Sequence, residues 1–537
     1  MNYADLFRVT LPETALEVAA LVVLIVDLGF LRKAALKVRV TVAALLGVAG
    51  CGAAVWAVLQ NGALSYPKPQ VIYGLFGFPD WNWSVLLQGG TYVSVAQIGI
   101  LVLTALTLFL LIDTDFTRHV GEFVAVVLMS ASGGLLVAAA QDLLVIFVGL
   151  ELLSLGLYIM TAFSKSSGKS AEAALKYYLF GGMSAAFLLF GFSYLYGLTG
   201  STNIWEIKDV LASAGPNPLF YVAWILIVAG LGFKIAAVPF HLWAPDTYEG
   251  APAPAAAFIA SVSKVASFAL LLNLSFYWFV PGPAMGGPDQ VMNDTQMRYY
   301  QTWPQLTVVL FLVSAASMIV GNLAALAQVG VRRLLAYSAI AHAGYILLGI
   351  ATASPGLSDG TDTSHFYLSI LGSFQLRADA VLYYILTYGL TTIGAFGVVS
   401  VVERATGSDR LDSFLGLHKR NPLLAAVLLV LFLSLAGIPP LVGFWAKFNL
   451  FAAVLGVSAG PVPFALVALA IAMSAVSLYY YLQVLKRAYV MPAIEETPIK
   501  AHPVTMAVLL FIAAAVVVLG CFPTLLQGWI ASFYPAG

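Results

Sequence analysis

Apolar runs of about 20 residues recur from one end of the chain to the other. They lie at 14–31, 38–59, 91–112, 122–140, 142–163, 172–198, 217–239, 252–275, 305–326, 332–351, 378–402, 422–457, 464–487 and 503–524. A helix of about 20 apolar residues spans the hydrocarbon of a bilayer, whereas a barrel strand shows short alternating segments. The pattern therefore predicts an all-α membrane protein with about 14 transmembrane helices. Two runs carry breakers. The 422–457 run is too long for one straight crossing and contains Gly437-Ile438-Pro439-Pro440, and the 217–239 run ends in Ala237-Val238-Pro239-Phe240. Proline lacks the N–H that a helix interior needs, so the seventh and twelfth helices are expected to be broken. A cleavable signal peptide is not expected, because Glu13, Glu17 and Asp27 interrupt the first run and no small-residue cleavage site follows it.

Composition and charge sharpen this. The 537 residues are 61% hydrophobic and 9% charged, against about 25% charged in a soluble domain. With the N-terminus outside and the spans alternating, sixteen of the 25 Lys and Arg fall in inside loops and five outside. The excess predicts both termini on the outside face. The net charge is near zero, which gives no reason to expect a nucleic-acid partner. Cys51 and Cys521 are too few for four-thiolate iron–sulfur ligation. Phosphate-binding glycine loops are missing, and the six histidines are scattered. No nucleotide, flavin or metal cluster is expected in this chain.

The two breaks lie five runs apart, an odd offset that makes them cross the membrane in opposite directions. An inverted repeat of two five-helix units has this property. The expected organisation is an N-terminal part at 1–121, a first unit at 122–275, a second, inverted unit at 305–487 and a last helix within 503–537. Glu151 then corresponds to His342, and Lys234 to Lys447. A short Pro-to-Trp register is shared, Pro239-Phe240-His241-Leu242-Trp243 against Pro440-Leu441-Val442-Gly443-Phe444-Trp445.

The remaining four of the 25 basic residues are lysines inside apolar runs: Lys176, Lys234, Lys264 and Lys447. A lysine near the bilayer centre costs about 2.5–3.5 kcal/mol on insertion scales, and intramembrane charges mark ion and proton paths. Glu151, in the middle of the fifth run, can gain and lose a proton, or can merely lock helices together by pairing with a lysine. Lys234 stands among glycines just before a break that can admit water; the alternative is snorkelling. Lys264, centred in the eighth run beside Ser261 and Ser263, reads as a relay between the halves. Lys176 lies about one turn inside the sixth run, so it serves a relay or pairs with Glu172 at the surface. His342 is either a hydrogen-bonded packing residue or a proton carrier. Lys447 follows the second break and either ends the relay or satisfies a freed carbonyl. His241, Asp246 and Glu249 form an uptake funnel for protons or serve as turn and capping residues.

These segments resemble a known family. Lys234 to Gly250, continuing through Ala251-Pro252-Ala253-Pro254 to Lys264, is similar to the most specific signature of the antiporter-like subunits of respiratory complex I, NADH:quinone oxidoreductase. Arg332-Arg333-Leu334-Leu335-Ala336-Tyr337-Ser338-Ala339-Ile340-Ala341-His342 and Ser434-Leu435-Ala436-Gly437-Ile438-Pro439-Pro440-Leu441-Val442-Gly443-Phe444 are similarly typical. The N branch of that family is resembled most. Lys176-Tyr177-Tyr178-Leu179-Phe180-Gly181-Gly182 and Leu11-Pro12-Glu13 look like it, Lys447 stands where the M branch has a glutamate, and the long C-terminal amphipathic helix of the L branch is not expected. The resemblance implies a proton-translocating membrane subunit of a translocase, with Glu151, Lys176, Lys234, Lys264, His342 and Lys447 on the proton path. NADH, flavin, iron–sulfur clusters and quinone are then expected in partner subunits, with subunits M and K as neighbours, in a bacterial inner membrane. Rival readings are a subunit of a multisubunit cation/proton antiporter, a membrane-bound hydrogenase subunit, or a non-pumping scaffold. The stretches 280–300 and 353–377 look long for the family.

Overall fold

The computed structural model describes residues 7, 9–63, 87, 91–214, 217–279, 294–352, 363–457, 460–493 and 497–533. Residues 280–293 and 353–362 of the two long stretches singled out above lie outside these. In chain order the helices are α1 (Leu11–Ile25, ending in a π-helical turn Val26–Phe30), α2 (Leu36–Ala63), α3 (Thr91–Leu111), α4 (Val120–Ala139), α5 (Leu143–Thr161), α6 (Gly168–Thr199), α7 (Ile204–Ala214), α8 (Pro218–Lys234), α9 (Trp243–Gly250) and α10 (Ala253–Phe258). A π-helical turn (Ile259–Ser263) joins α10 to α11 (Lys264–Phe279). Then come α12 (Asp294–Leu326), α13 (Val331–Ala351), α14 (Thr363–Thr406), α15 (Leu417–Arg420), α16 (Pro422–Ala436), α17 (Val442–Val457), α18 (Pro461–Tyr489), α19 (Pro503–Cys521) and α20 (Pro523–Ser532). Among the described residues, eleven helices are long and apolar enough to cross a membrane, and α8, α16 and α17 are shorter apolar helices. The chain is thus a multi-pass membrane protein.

Both expected breaks are present. The helix of the seventh run stops at Lys234 and the chain is helical again from Trp243, and that of the twelfth stops at Ala436 and resumes at Val442. Gly437 ends α16 in the left-handed region at φ 87°, a common way to terminate a helix. At the first break the same region is occupied by Ala236, at φ 58°, which costs a non-glycine residue about 1–2 kcal/mol. Two helices were not legible as spans. α7 and α20, of 11 and 10 residues, are too short to cross. α7 buries Ile204, Ile207, Leu211 and, unexpectedly, Lys208, and its start is pinned to the α4–α5 corner by Ile204 N donating to Gln141 O at 3.0 Å.

Packing decides which helices are central. The α10–α11 span, α13 and the membrane part of α14 are almost wholly buried, whereas α6 and α18 lie at the rim with most of their residues outward. Close backbone approach fixes two of the helix pairs. A Cβ on Gly133 of α4 would fall 2.5 Å from Leu153 N of α5, and one on Gly344 of α13 would fall 2.8 Å from Met318 N of α12. Small residues at such contacts are how apolar helices associate where lipid competes equally for apolar surface. The first hairpin is tied down by charge instead. Arg39 Nε and Nη2 donate to Asp27 at 2.7 and 2.6 Å, and Gly121 N of α4 donates to the same carboxylate at 3.1 Å.

Candidate functional site

The first break positions a buried amine. α8 ends at Lys234, whose Nζ donates to Ser154 Oγ at 2.5 Å. Ser154 in turn donates to Leu150 O on its own helix. Lys234 is 7% exposed and its ammonium lies 5.7 Å from the Phe233 ring centre. Glu151 is one turn from Ser154 on α5 and within electrostatic reach of Lys234. It is half-buried, on the helix face that exposes Leu144, Val148, Leu155 and Ile159. Around the break, the Trp243 indole stacks on Tyr177 with ring centres 4.2 Å apart and donates to Phe233 O at 3.0 Å, so α9 satisfies a carbonyl near the end of α8.

Lys264 and His342 occupy the middle. The Lys264 Nζ crosses from the start of α11 to donate to Ala339 O of α13 at 2.6 Å, one turn before His342. The His342 Nδ1 is 2.9 Å from the Tyr384 hydroxyl, and its ring packs at 4.7 Å on Tyr388 and edge-on to Tyr345 at 5.7 Å. Both Lys264 and Lys447 lie within electrostatic reach of the imidazole. All three side chains are buried.

Lys447 lies at the second break. Its Nζ donates to Leu435 O at 3.2 Å, Ala436 O at 3.0 Å and Ser474 Oγ at 2.8 Å, and sits 5.4 Å over the Tyr345 ring. The two carbonyls belong to the last turn of α16, whose continuation the break removes. A Cβ on Gly437 would lie 3.0 Å from Lys447 Cδ and 3.2 Å from its Nζ, so glycine makes the room the amine uses.

Lys176 lies elsewhere. Its side chain is 40% exposed, and its Nζ pairs with Glu172 and Asp246, each at 2.7 Å. Asp246 gives its other oxygen to Arg333 Nη1 at 2.6 Å; Arg333 also meets Glu249 at 3.0 Å, which pairs with Lys169 at 3.1 Å. Asp246 and Glu249 thus sit in a surface ion-pair cluster bridging α6, α9 and α13, and His241 does not join them. Burial pushes both carboxyls up, but hydrogen bonds from Arg333 and the lysines outweigh it and hold both below the ordinary carboxylate range. Because these groups bind protons less tightly in the folded chain than in the unfolded one, their stabilisation is complete above that range and is lost as pH falls through the folded values, below about 4. We expect protease access to the α9 segment to rise below about pH 4 and not between pH 6 and 9, which limited proteolysis would read.

Sequence reasoning named the charged members of this arrangement and missed its neutral ones. Ser154, Ser474, Tyr345 and Tyr384 carry no signal of their own in a chain with many serines and 25 tyrosines. Only the three-residue spacing from Glu151 to Ser154, and the same spacing from His342 to Tyr345, set two of them on the faces of known candidates.

Comparison with known proteins identifies the family. The family described as NADH:quinone oxidoreductase/Mrp antiporter, transmembrane, matches residues 140–285 and 292–476. The chain is 45% identical over 99% of its length, and 99% of the relative, to NADH-quinone oxidoreductase subunit N 2 of Acidobacterium capsulatum. It is 40% identical over 82% of its length, and 79% of the relative, to subunit N 1 of Roseiflexus castenholzii. Among solved structures, a chain of respiratory complex I from Thermus thermophilus with bound aureothin superposes with TM-score 0.72 at 32% identity, over 97% of this chain and 100% of that one. The Mrp complex of a Dietzia species shares the fold, with TM-score 0.74 at 20% identity over 97% of each chain. The chain belongs to the NADH:quinone oxidoreductase/Mrp antiporter family of membrane subunits.

Proposed function

We propose that the chain is the N-type, proton-translocating subunit of an NADH:quinone oxidoreductase, and so part of a translocase. The observation that carries this is the buried row of amines and imidazole that links the two helix breaks. Lys234 and Lys447 each sit at a break, with Lys264 and His342 between them on adjoining central helices. Each is hydrogen-bonded to a neutral oxygen rather than locked to a carboxylate, an arrangement that lets an amine pass a proton without losing its place. Glu151, at the outward end, biases Lys234. A Glu151 displacement that alters the energy of the Lys234 charge by about 2.3 kcal/mol would match the work of moving one charge across 100 mV. Lys176, in its surface cluster, supplies protons to the row or steadies its mouth.

The finer organisation follows from the same reading. Fourteen spans arise when α1, the broken pairs α8–α9 and α16–α17, and the other long helices are taken together. The close-packed pairs α4–α5 and α12–α13 would open the two inverted five-helix units at 122–275 and 305–487, flanked by 1–121 and 503–537. The charge bias of the loops supports both termini outside a bacterial inner membrane. The half-buried Glu151 on an otherwise apolar outward face supports a protein neighbour there in place of lipid, with subunits M and K as the expected ones. NADH, flavin, iron–sulfur clusters and quinone belong to partner subunits. The antiporter reading is favoured less, since identity to the Mrp chain is 20% against 32% to the complex I chain.

In the assembled complex reconstituted in vesicles, Lys234→Ala and Lys447→Ala are each expected to lower proton pumping per quinone reduced by more than half, read by dye quenching against substrate turnover. Intact pumping in both variants would leave the chain a scaffold.

A further inference from the structure

A second hydrogen-bonded network lies against Lys447. Tyr345, 1% exposed, stands between two proposed carriers. One side of its ring is met edge-on by His342, and its face lies 5.4 Å below the Lys447 ammonium. Its hydroxyl points into a different cluster. There Asn322, wholly buried, donates through Nδ2 to the Tyr345 hydroxyl at 3.0 Å and to Met318 O at 2.8 Å. The Asn322 carbonyl oxygen accepts from the Tyr480 hydroxyl at 3.2 Å, and Tyr480 packs on Tyr481, which bonds Ser338 on α13.

We propose that Tyr345 is a positioning residue that holds the Lys447 ammonium by its ring face, and that Asn322 fixes the ring in that pose; this rests on Lys447 being a proton carrier. The amide is fully engaged. Both of its hydrogens have acceptors and its oxygen has a donor, so the network has one way to satisfy itself. That fixes where the phenol oxygen lies, and the ring plane follows, because two torsions join it to a helix already locked at Gly344 against α12. The ring is then a static cradle that favours a cation over a neutral amine, worth about 2 kcal/mol where both are desolvated. The hydroxyl is engaged by Asn322 and takes no part in transfer.

The chemistry separates ring from hydroxyl, and so do the variants. In the assembled complex in vesicles, Tyr345→Phe is expected to retain most of the pumping per quinone reduced, since the face remains. Tyr345→Leu should lose about thirtyfold, as the loss of a desolvated cation–ring contact implies. Asn322→Leu, which keeps the ring but frees it, should fall between them. Tyr345→Met, longer and better filling, replaces the leucine variant if that one fails to assemble, which subunit content of the purified complex reports. Equal losses in the phenylalanine and leucine variants would place the role in the hydroxyl and overturn the proposal, as would normal pumping in Tyr345→Leu. Lys447→Ala run beside them separates the two readings: normal pumping there removes the relay, whereas loss there with normal Tyr345→Leu removes only the cradle.

Discussion

Replacing Lys264 by methionine is expected to cut proton pumping per quinone reduced by at least tenfold while the complex still assembles. Lys264 reaches from the start of α11 to α13, donating to Ala339 O one turn from His342. Without it a proton must cross the centre of the bundle as an uncarried charge, and the smallest accepted cost of a charge there, about 2.5 kcal/mol, already slows transfer roughly a hundredfold. The structural cost is smaller. One carbonyl loses a donor, about 1–3 kcal/mol at most, in a helix whose other packing is untouched. Lys264→Arg discriminates between carrier and anchor, because a guanidinium keeps the charge and the hydrogen bond but does not release its proton. Pumping should fail with arginine as with methionine; normal pumping with arginine would reduce Lys264 to an anchor between helices.

Asp27→Ala should destabilise the first hairpin by about 3 kcal/mol, the lower end of what breaking a buried ion pair costs, since Arg39 keeps some contact with water. Asp27 is 2% exposed, and its loss strands both the Arg39 guanidinium and Gly121 N. Adding Arg39→Ala to Asp27→Ala removes the stranded charge and should restore about half of the loss. Unfolding of the purified chain in detergent, compared across the wild type, both single variants and the double, gives the coupling energy directly. Additive losses would show that the pair contributes nothing beyond its separate members.

Much of this was legible before the fold was. The helix breaks are visible because glycine and proline act locally, so Gly437 and Pro239 announce themselves in any context. Charged residues in apolar runs are equally conspicuous, and four of the six candidate residues, Lys234, Lys264, His342 and Lys447, are buried, with Lys264 and Lys447 both within electrostatic reach of His342. Lys176 shows where such reasoning thins. Depth along a run says nothing of azimuth, and this lysine faces an acidic neighbour, Asp246, seventy positions away. The neutral partners were illegible for the same reason. Whether a serine such as Ser474 meets an amine depends on how α18 packs against the break in the preceding run, and no pattern within either segment encodes that. α7 escaped because an 11-residue amphipathic helix among much longer apolar ones reads as connecting loop.

Gly437 also sets an order on how this site can change over generations. The glycine holds a left-handed turn and leaves its open side to the Lys447 side chain, which a methyl there would crowd at 3.0 Å from Cδ and 3.2 Å from Nζ. A shorter residue at 447 can arise first and leave Gly437 undisturbed. A side chain at 437 that arises first carries two costs at once, the backbone angle and the crowding of the amine. Histories at these two positions therefore favour one direction, with the amine exchanged for another titratable group before the glycine is lost.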